Sequence, residues 1–231
     1  PLRAYTIPAG TKKLPEKFFT DYTFESIDIE EGNTSFVFDA SGVLYDADMT
    51  TLLYFPETVE TYVIPATLPS SMSPDAFFEL LAKRKGGALT TVTVSPDNKD
   101  CKSFFNDGVI YYNDAESGWV LAWIPSDLTE LKIPEEVSLL TCIGEEGPFN
   151  GSALTTVTFE AGRTKSLAVG PYIFYGAKKL VSIVLPDNTV SIGNYAFYNC
   201  TALKELGLPA SVTEIGSKAF YKCTGLTKLV I

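Results

Sequence analysis

Two consecutive segments of this chain align at a fixed offset. Residues 180–202 read LVSIVLPDNTVSIGNYAFYNCTA, and residues 203–225 read LKELGLPASVTEIGSKAFYKCTG. A third copy opens at Leu226 as LTKLVI. Leu180, Leu203 and Leu226 are each 23 residues apart. A fixed period in this range marks a stacked repeat, in which each unit contacts only its neighbours and cannot bury its apolar side alone.

The pattern within a unit is explicit. Leu180, Ile183, Leu185, Pro186, Ile192, Gly193, Ala196, Phe197 and Cys200 recur as Leu203, Leu206, Leu208, Pro209, Ile215, Gly216, Ala219, Phe220 and Cys223. Two-residue alternation puts Ile183 and Leu185 on one side of a short strand. Pro186 and Pro209 end that strand, because proline has no N–H to give to a ladder. The Ala-Phe-x-x-Cys run is too short for a full helix and predicts one helical or 3₁₀ turn that drops Phe and Cys inward.

On these residues the chain resembles the 23-residue leucine-rich repeat of BspA-like bacterial surface proteins. The matching string is Leu-x-x-Leu-x-Leu-Pro-x-x-Val-Thr-x-Ile-Gly-x-x-Ala-Phe-x-x-Cys, specific over residues 180–231. The resemblance implies an α/β fold: a right-handed leucine-rich-repeat solenoid of short parallel strands and short helical turns. It also implies a secreted or surface-anchored, non-enzymatic interaction module that adheres to a host matrix or cell-surface protein.

Weaker copies run through the rest of the chain. Strand patterns begin at Phe24, Leu89 and Leu154, each 65 residues apart. Each long unit carries an insertion with two apolar-aromatic runs around a polar turn, the signature of a β-hairpin. The first spans 42–56 (Gly42-Val-Leu-Tyr45, then Leu52-Leu-Tyr-Phe-Pro56), and the second spans 108–125. A hairpin of this Gly-Val-Leu-Tyr type is similar to one between repeats of BspA-like proteins. Residues 75–87 depart from the pattern and predict a true helix, with Asp75 as cap and a glycine stop. Because the repeat crosses every candidate boundary, the reading is one solenoid domain, 1–231. Residues 1–150 are degenerate repeats with hairpins, and residues 151–231 are regular.

Composition removes several function classes. The formal net charge is −10, and the one basic cluster, Lys83-Arg84-Lys85, sits at a predicted helix end, so nucleic-acid binding is not expected. No run of about 18 apolar residues exists to span a membrane as a helix. The chain opens on Pro1 and shows no signal peptide, which reads as a processed or partial chain.

Histidine is absent, so Ser-His-Asp, Cys-His and His-metal constellations are excluded. No phosphate-binding glycine motif occurs, and no cofactor or metal is expected. A carboxylate glycosidase is the weakest rival, since its adjacent pair Glu145-Glu146 reads as a solvated loop. Asp46/Asp48 and Asp114/Glu116 lie at hairpin tips and read as turn residues rather than calcium ligands. Asn33 and Asn98, each nine residues into their units, read as turn caps. Cys200 and Cys223 share a repeat position and are expected inside, one rung apart, as thiols.

The candidate binding residues are the hairpin aromatics Tyr111, Tyr112, Trp119 and Trp123, with Tyr45 and Tyr54, and the outward threonines Thr90 and Thr155. Exposed rings would stack on a glycan or anchor a protein. A carbohydrate-binding module and a structural spacer are therefore the alternatives to adhesion. The last strand, 226–231, has Lys228 as its only charged guard against edge pairing. It is expected to be covered by further sequence or by end-to-end self-association.

Overall fold

In the computed structural model the described residues are all except 1–3, 15–17, 20–23, 70–72, 75, 76, 79, 82–86, 106, 143–146 and 231. The chain divides into two compact units, Pro1–Asp100 and Cys101–Ile231. Each is a β-solenoid stack whose rungs are joined by parallel pairing.

In the first unit, β1 (Ala4–Ile7) pairs in parallel with β2 (Ser26–Ile29), and Ala4 lies opposite Ser26. Strands β3 (Phe36–Phe38), β4 (Leu44–Asp46) and β5 (Leu52–Tyr54) form an antiparallel meander. The predicted hairpin is therefore present, extended by one strand. Then β6 (Thr61–Ile64) pairs in parallel with β7 (Thr91–Val94). The N-terminal core gathers Ile7, Leu14, Phe19, Phe24 and Ile27, with Phe18 and Phe19 edge-to-face at 4.9 Å. Of the predicted helix at 75–87, Phe77, Phe78, Leu80 and Leu81 are helical, while the capping residue Asp75 and the basic cluster Lys83-Arg84-Lys85 lie outside the described residues.

The second unit opens with the antiparallel strands β8 (Cys101–Lys102), β9 (Ile110–Asp114) and β10 (Gly118–Trp123). Two parallel faces follow. One runs β11 (Glu130–Ile133), β13 (Thr156–Phe159), β15 (Ser182–Ile183), with β17 (Glu205–Gly207) pairing β19 (Lys228–Val230). The other runs β12 (Leu139–Leu140), β14 (Leu167–Val169), β16 (Thr189–Ile192), β18 (Glu214–Ile215). The third side of the last two full rungs is the Ala-Phe-x-x-Cys turn, and residues 173–177 take its place in the rung before.

That turn is not the helical or 3₁₀ turn expected from its length. Its N–H groups alternate between two destinations. Ala196, Tyr198 and Cys200 donate within their own rung, to Gly193, Tyr195 and Phe197. Tyr195, Phe197 and Asn199 donate instead to Ser217, Ala219 and Tyr221 of the next rung, at 2.8–3.0 Å. A helix would keep all of these bonds to itself, whereas here half of them tie rung to rung. The alternation needs left-handed residues, found at Tyr172, Tyr195 and Lys218 (φ 54–56°) and at Gly176, Asn199 and Lys222 (φ 61–68°).

Inside, Phe149, Phe174, Phe197 and Phe220 stack in one column at 5.1–5.6 Å. The rungs approach closely where Gly170, Gly193 and Gly216 follow one another. A Cβ on Gly193 would lie 2.5 Å from Pro171 N and 2.7 Å from Gly170 C, so the Ile-Gly of the repeat is fixed by backbone approach.

The turn caps at Asn33 and Asn98 act between rungs. Asn33 Nδ2 donates to Pro8 O and Thr11 O at 2.8 and 3.1 Å, and its Oδ1 accepts from Ser35 N. Asn98 Nδ2 donates to Pro65 O and Leu68 O, both at 2.6 Å. Sixty-five residues on, Arg163 does the same work on Pro134 O and Val137 O. Asn188 and Ser211 continue the series. Each side chain satisfies carbonyls that the preceding turn leaves open.

Candidate interaction surfaces

The aromatic insertion of the second unit is part of the stack rather than a projection from it. Leu121 on β10 bridges in parallel to Cys142, and its N–H donates to Thr141 O at 3.1 Å. The inner strand of the hairpin thus serves as a sheet strand of its own rung. Tyr111 and Trp123 are consequently core residues, 0% and 3% exposed. The Tyr111 hydroxyl donates to Lys132 O at 3.2 Å, and burial pushes its pKa above the ordinary phenol value. Tyr112 and Trp119 are half-buried, and Trp119 is met edge-on by Phe104 at 5.3 Å. In the first unit Tyr45 is buried, its hydroxyl donating to Asp39 and lying 3.0 Å from the Tyr62 hydroxyl, while Tyr54 is half-buried.

The threonine column has a structural task. Thr90 Oγ1 donates to Glu60 O at 3.3 Å and Thr155 Oγ1 to Thr129 O at 3.0 Å, and Thr227 repeats the contact with Lys204 O. These hydroxyls fasten each strand entry to the rung before. The hairpin-tip acids are turn residues. Asp46 accepts from Thr50 N, Thr51 N and the Thr50 hydroxyl at 2.7–3.0 Å. Burial opposes its charge, but these hydrogen bonds hold its carboxyl below the usual range. Asp114 accepts from Ser117 N and Glu116 N, which lower its pKa in the same way.

Among the described residues no group of three or more Cys, Asp or Glu is placed to hold a metal ion, and no helix is long and apolar enough to cross a membrane. Glu145 and Glu146 lie outside the described residues. All four cysteines are thiols. Cys200 and Cys223 donate to Phe174 O and Phe197 O one rung back, at 3.1 and 2.8 Å.

The surface that sequence reasoning passed over is the turn face of the regular rungs. Tyr172 and Tyr195 stack at 5.0 Å with planes 5° apart. Beside them Tyr175 and Tyr198 stack at 4.9 Å and 6°, and Tyr221 extends that column at 5.6 Å. Lys218 occupies the Tyr195 column one rung on, with Nζ 5.5 Å from the Tyr195 ring centre. Lys222 Nζ lies 5.6 Å from the Tyr198 ring centre. The neighbouring Tyr195 and Tyr198 raise the ammonium pKa values of Lys218 and Lys222, respectively. The signal was the spacing of 23 between tyrosines at the x positions of the Ile-Gly-x-x-Ala-Phe-x-x-Cys run, positions outside the apolar pattern. Two further exposures lie on the strand face, Val181 and the 79%-exposed Val184. At the end of that face, Lys228, Leu229 and Val230 of β19 are exposed.

Residues 167–231 match the BspA type leucine rich repeat region, in six copies. Among solved structures the chain is similar to a leucine rich cell surface protein from Faecalibacterium prausnitzii, with 23% identity and a TM-score of 0.51. It is similar also to the pneumococcal vaccine antigen PcpA (22%, 0.54) and to a leucine-rich repeat protein from Eubacterium ventriosum (23%, 0.54). The matches cover 99%, 99% and 95% of this chain but 59%, 50% and 58% of those chains. The chain therefore spans between half and three-fifths of the length of these three structures. No curated protein sequence matches it significantly. Residues 167–231 are thus similar to the BspA type leucine rich repeat region, and the fold is that of the leucine-rich-repeat solenoids.

Proposed function

We propose that this chain is a non-enzymatic interaction module of a bacterial cell-surface protein, and that it adheres to a protein of the host matrix or of another cell. The observation that carries this reading is the tyrosine ladder. Folding a rung requires the inner phenylalanine and the glycine, but not an outer ring, yet Tyr172 is 38% and Tyr221 54% exposed. Tyrosine in a rigid setting offers amphipathic contact area at low entropic cost, which is why protein interfaces are rich in it. The repeat-region match and the cell-surface relative support the same reading.

The test is an array of matrix proteins, cell-surface proteins and glycans probed with the wild-type chain and two variants. Tyr221→Ala should weaken capture by a protein spot. A Tyr112→Ala, Trp119→Ala double variant should leave that capture unchanged. Binding to glycans alone, lost in the double variant, would transfer the function to the hairpin aromatics. No binding at all would favour a spacer. End-to-end self-association through β19 is a separate proposal, read by whether the sedimenting mass rises with concentration.

A further inference from the structure

Segments 170–179, 193–202 and 216–225, the turn face of the regular rungs, contain Lys178, Lys179, Lys218 and Lys222 and no carboxylate, in a chain of formal net charge −10. All four lysines are exposed. This face therefore has the opposite sign to the molecule that carries it. Such a patch attracts an anionic partner and orients the otherwise acidic surface away from it.

The geometry narrows the partner. Tyr172 lies almost parallel on Tyr195, and Tyr175 on Tyr198, so the ring faces within these pairs are covered from rung to rung. A nucleobase or sugar needs a free face on which to stack. What the ladder offers instead is a row of hydroxyls and ring edges, the ammonium groups of Lys218 and Lys222 held over the rings, and the exposed rings of Tyr172 and Tyr221 at its two ends.

We propose that this face docks an acidic segment of a protein partner. Its carboxylates would pair with the four lysines and accept from the tyrosine hydroxyls, while apolar side chains lie against Tyr172 and Tyr221. The proposal rests on the interaction-module reading and supplies its surface and partner chemistry.

The test uses immobilised poly-L-glutamate as probe, with heparin as an acidic polysaccharide and poly-L-lysine as the opposite charge. The key variant is Lys218→Asn, Lys222→Asn. Both positions have left-handed backbone, at φ 54° and 61°, where asparagine is better tolerated than lysine. The variant thus removes two charges without opposing the fold, and an unchanged or raised Tm would verify that. Wild type should bind poly-L-glutamate, less tightly as salt rises, and the double variant about tenfold more weakly. Equal binding by the two proteins would overturn the proposal. So would heparin binding without poly-L-glutamate binding, or binding to poly-L-lysine alone. A protein captured equally by wild type and the double variant on the array would overturn this surface while leaving the module reading intact.

Discussion

Gly193→Ala is the substitution that most directly tests how the rungs are held apart. The added Cβ would lie 2.5 Å from Pro171 N, 2.7 Å from Gly170 C and 2.9 Å from Pro171 Cα. All three are backbone atoms of the rung before, so no side chain can swing aside. Ordinary contact needs about 3.5 Å, so the rungs must part locally by about 1 Å. Two bonds bracket the point, Gly193 N to Val169 O at 2.7 Å and Tyr172 N to Asn194 O at 3.0 Å. Lengthened by that amount, both leave hydrogen-bonding range. Two lost bonds at about 1–3 kcal/mol each, or overpacking strain if they hold, give roughly 2–5 kcal/mol. For a chain of this size that is a fall in Tm of about 4–20 °C.

The control is Gly207→Ala on β17. Nothing lies within 4 Å of its virtual Cβ, and its φ is not left-handed. Alanine there should be neutral or stabilise by about 0.5–1 kcal/mol. Thermal and urea unfolding of the two variants, read by circular dichroism, decides the matter. Equal Tm values would refute the claim that backbone approach sets the repeat glycine.

The remaining predictions concern caps, thiols and acid. Asn98→Ala removes the donor to Pro65 O and Leu68 O and should cost about 2–3 kcal/mol in urea unfolding, with Asn98→Asp recovering only the bond accepted from Asp100 N. In the native protein at pH 8, Cys200, Cys223 and Cys101 should resist iodoacetamide because they are buried, and Cys142 should react slowly because burial pushes its thiol up to about 11. Mass spectrometry would detect any fast-labelling site. Asp46 and Asp114 have carboxyls held below the ordinary value, so their stabilisation is present above about pH 4 and lost as pH falls through their lowered native values. Asp46→Asn should flatten part of the acid limb of the Tm-versus-pH curve, and an unchanged limb would contradict its role.

The architecture could be read in the sequence because the regular repeat writes one residue type into one column. Leu180, Leu203 and Leu226 announce the stack, and the 65-residue offset of Phe24, Leu89 and Leu154 anticipates strands β2, β7 and β13. Asn33 and Asn98 were visible as caps, but not their reach into the preceding rung. Arg163 fills the same position with a different residue type, so composition alone hides it. The turn geometry was illegible for another reason. Whether an N–H bonds its own rung or the next depends on a neighbour that local sequence does not contain. Which of the hairpin aromatics face inward was not legible, because the register slips between Leu121 and Trp123 and the strand is bridged to Cys142.

The turn columns separate what folding requires from what it leaves open. Phe149, Phe174, Phe197 and Phe220 repeat without exception, because each is packed on the next. Tyr172, Tyr195 and Lys218 share φ values within 2° of one another although their side chains differ in chemistry. The conformation there is therefore imposed by rung-to-rung bonding and not by the side chain. Glycine or asparagine would adopt it with less of the roughly 1–2 kcal/mol that an ordinary L-residue pays, as Gly176 and Asn199 do in the other left-handed column. Large residues that point outward from a position disfavouring them add nothing to this backbone conformation, and the proposed docking face would use them. That is why the tyrosine–lysine face, and not the more aromatic hairpin, is where this chain meets its partner in the reading advanced above.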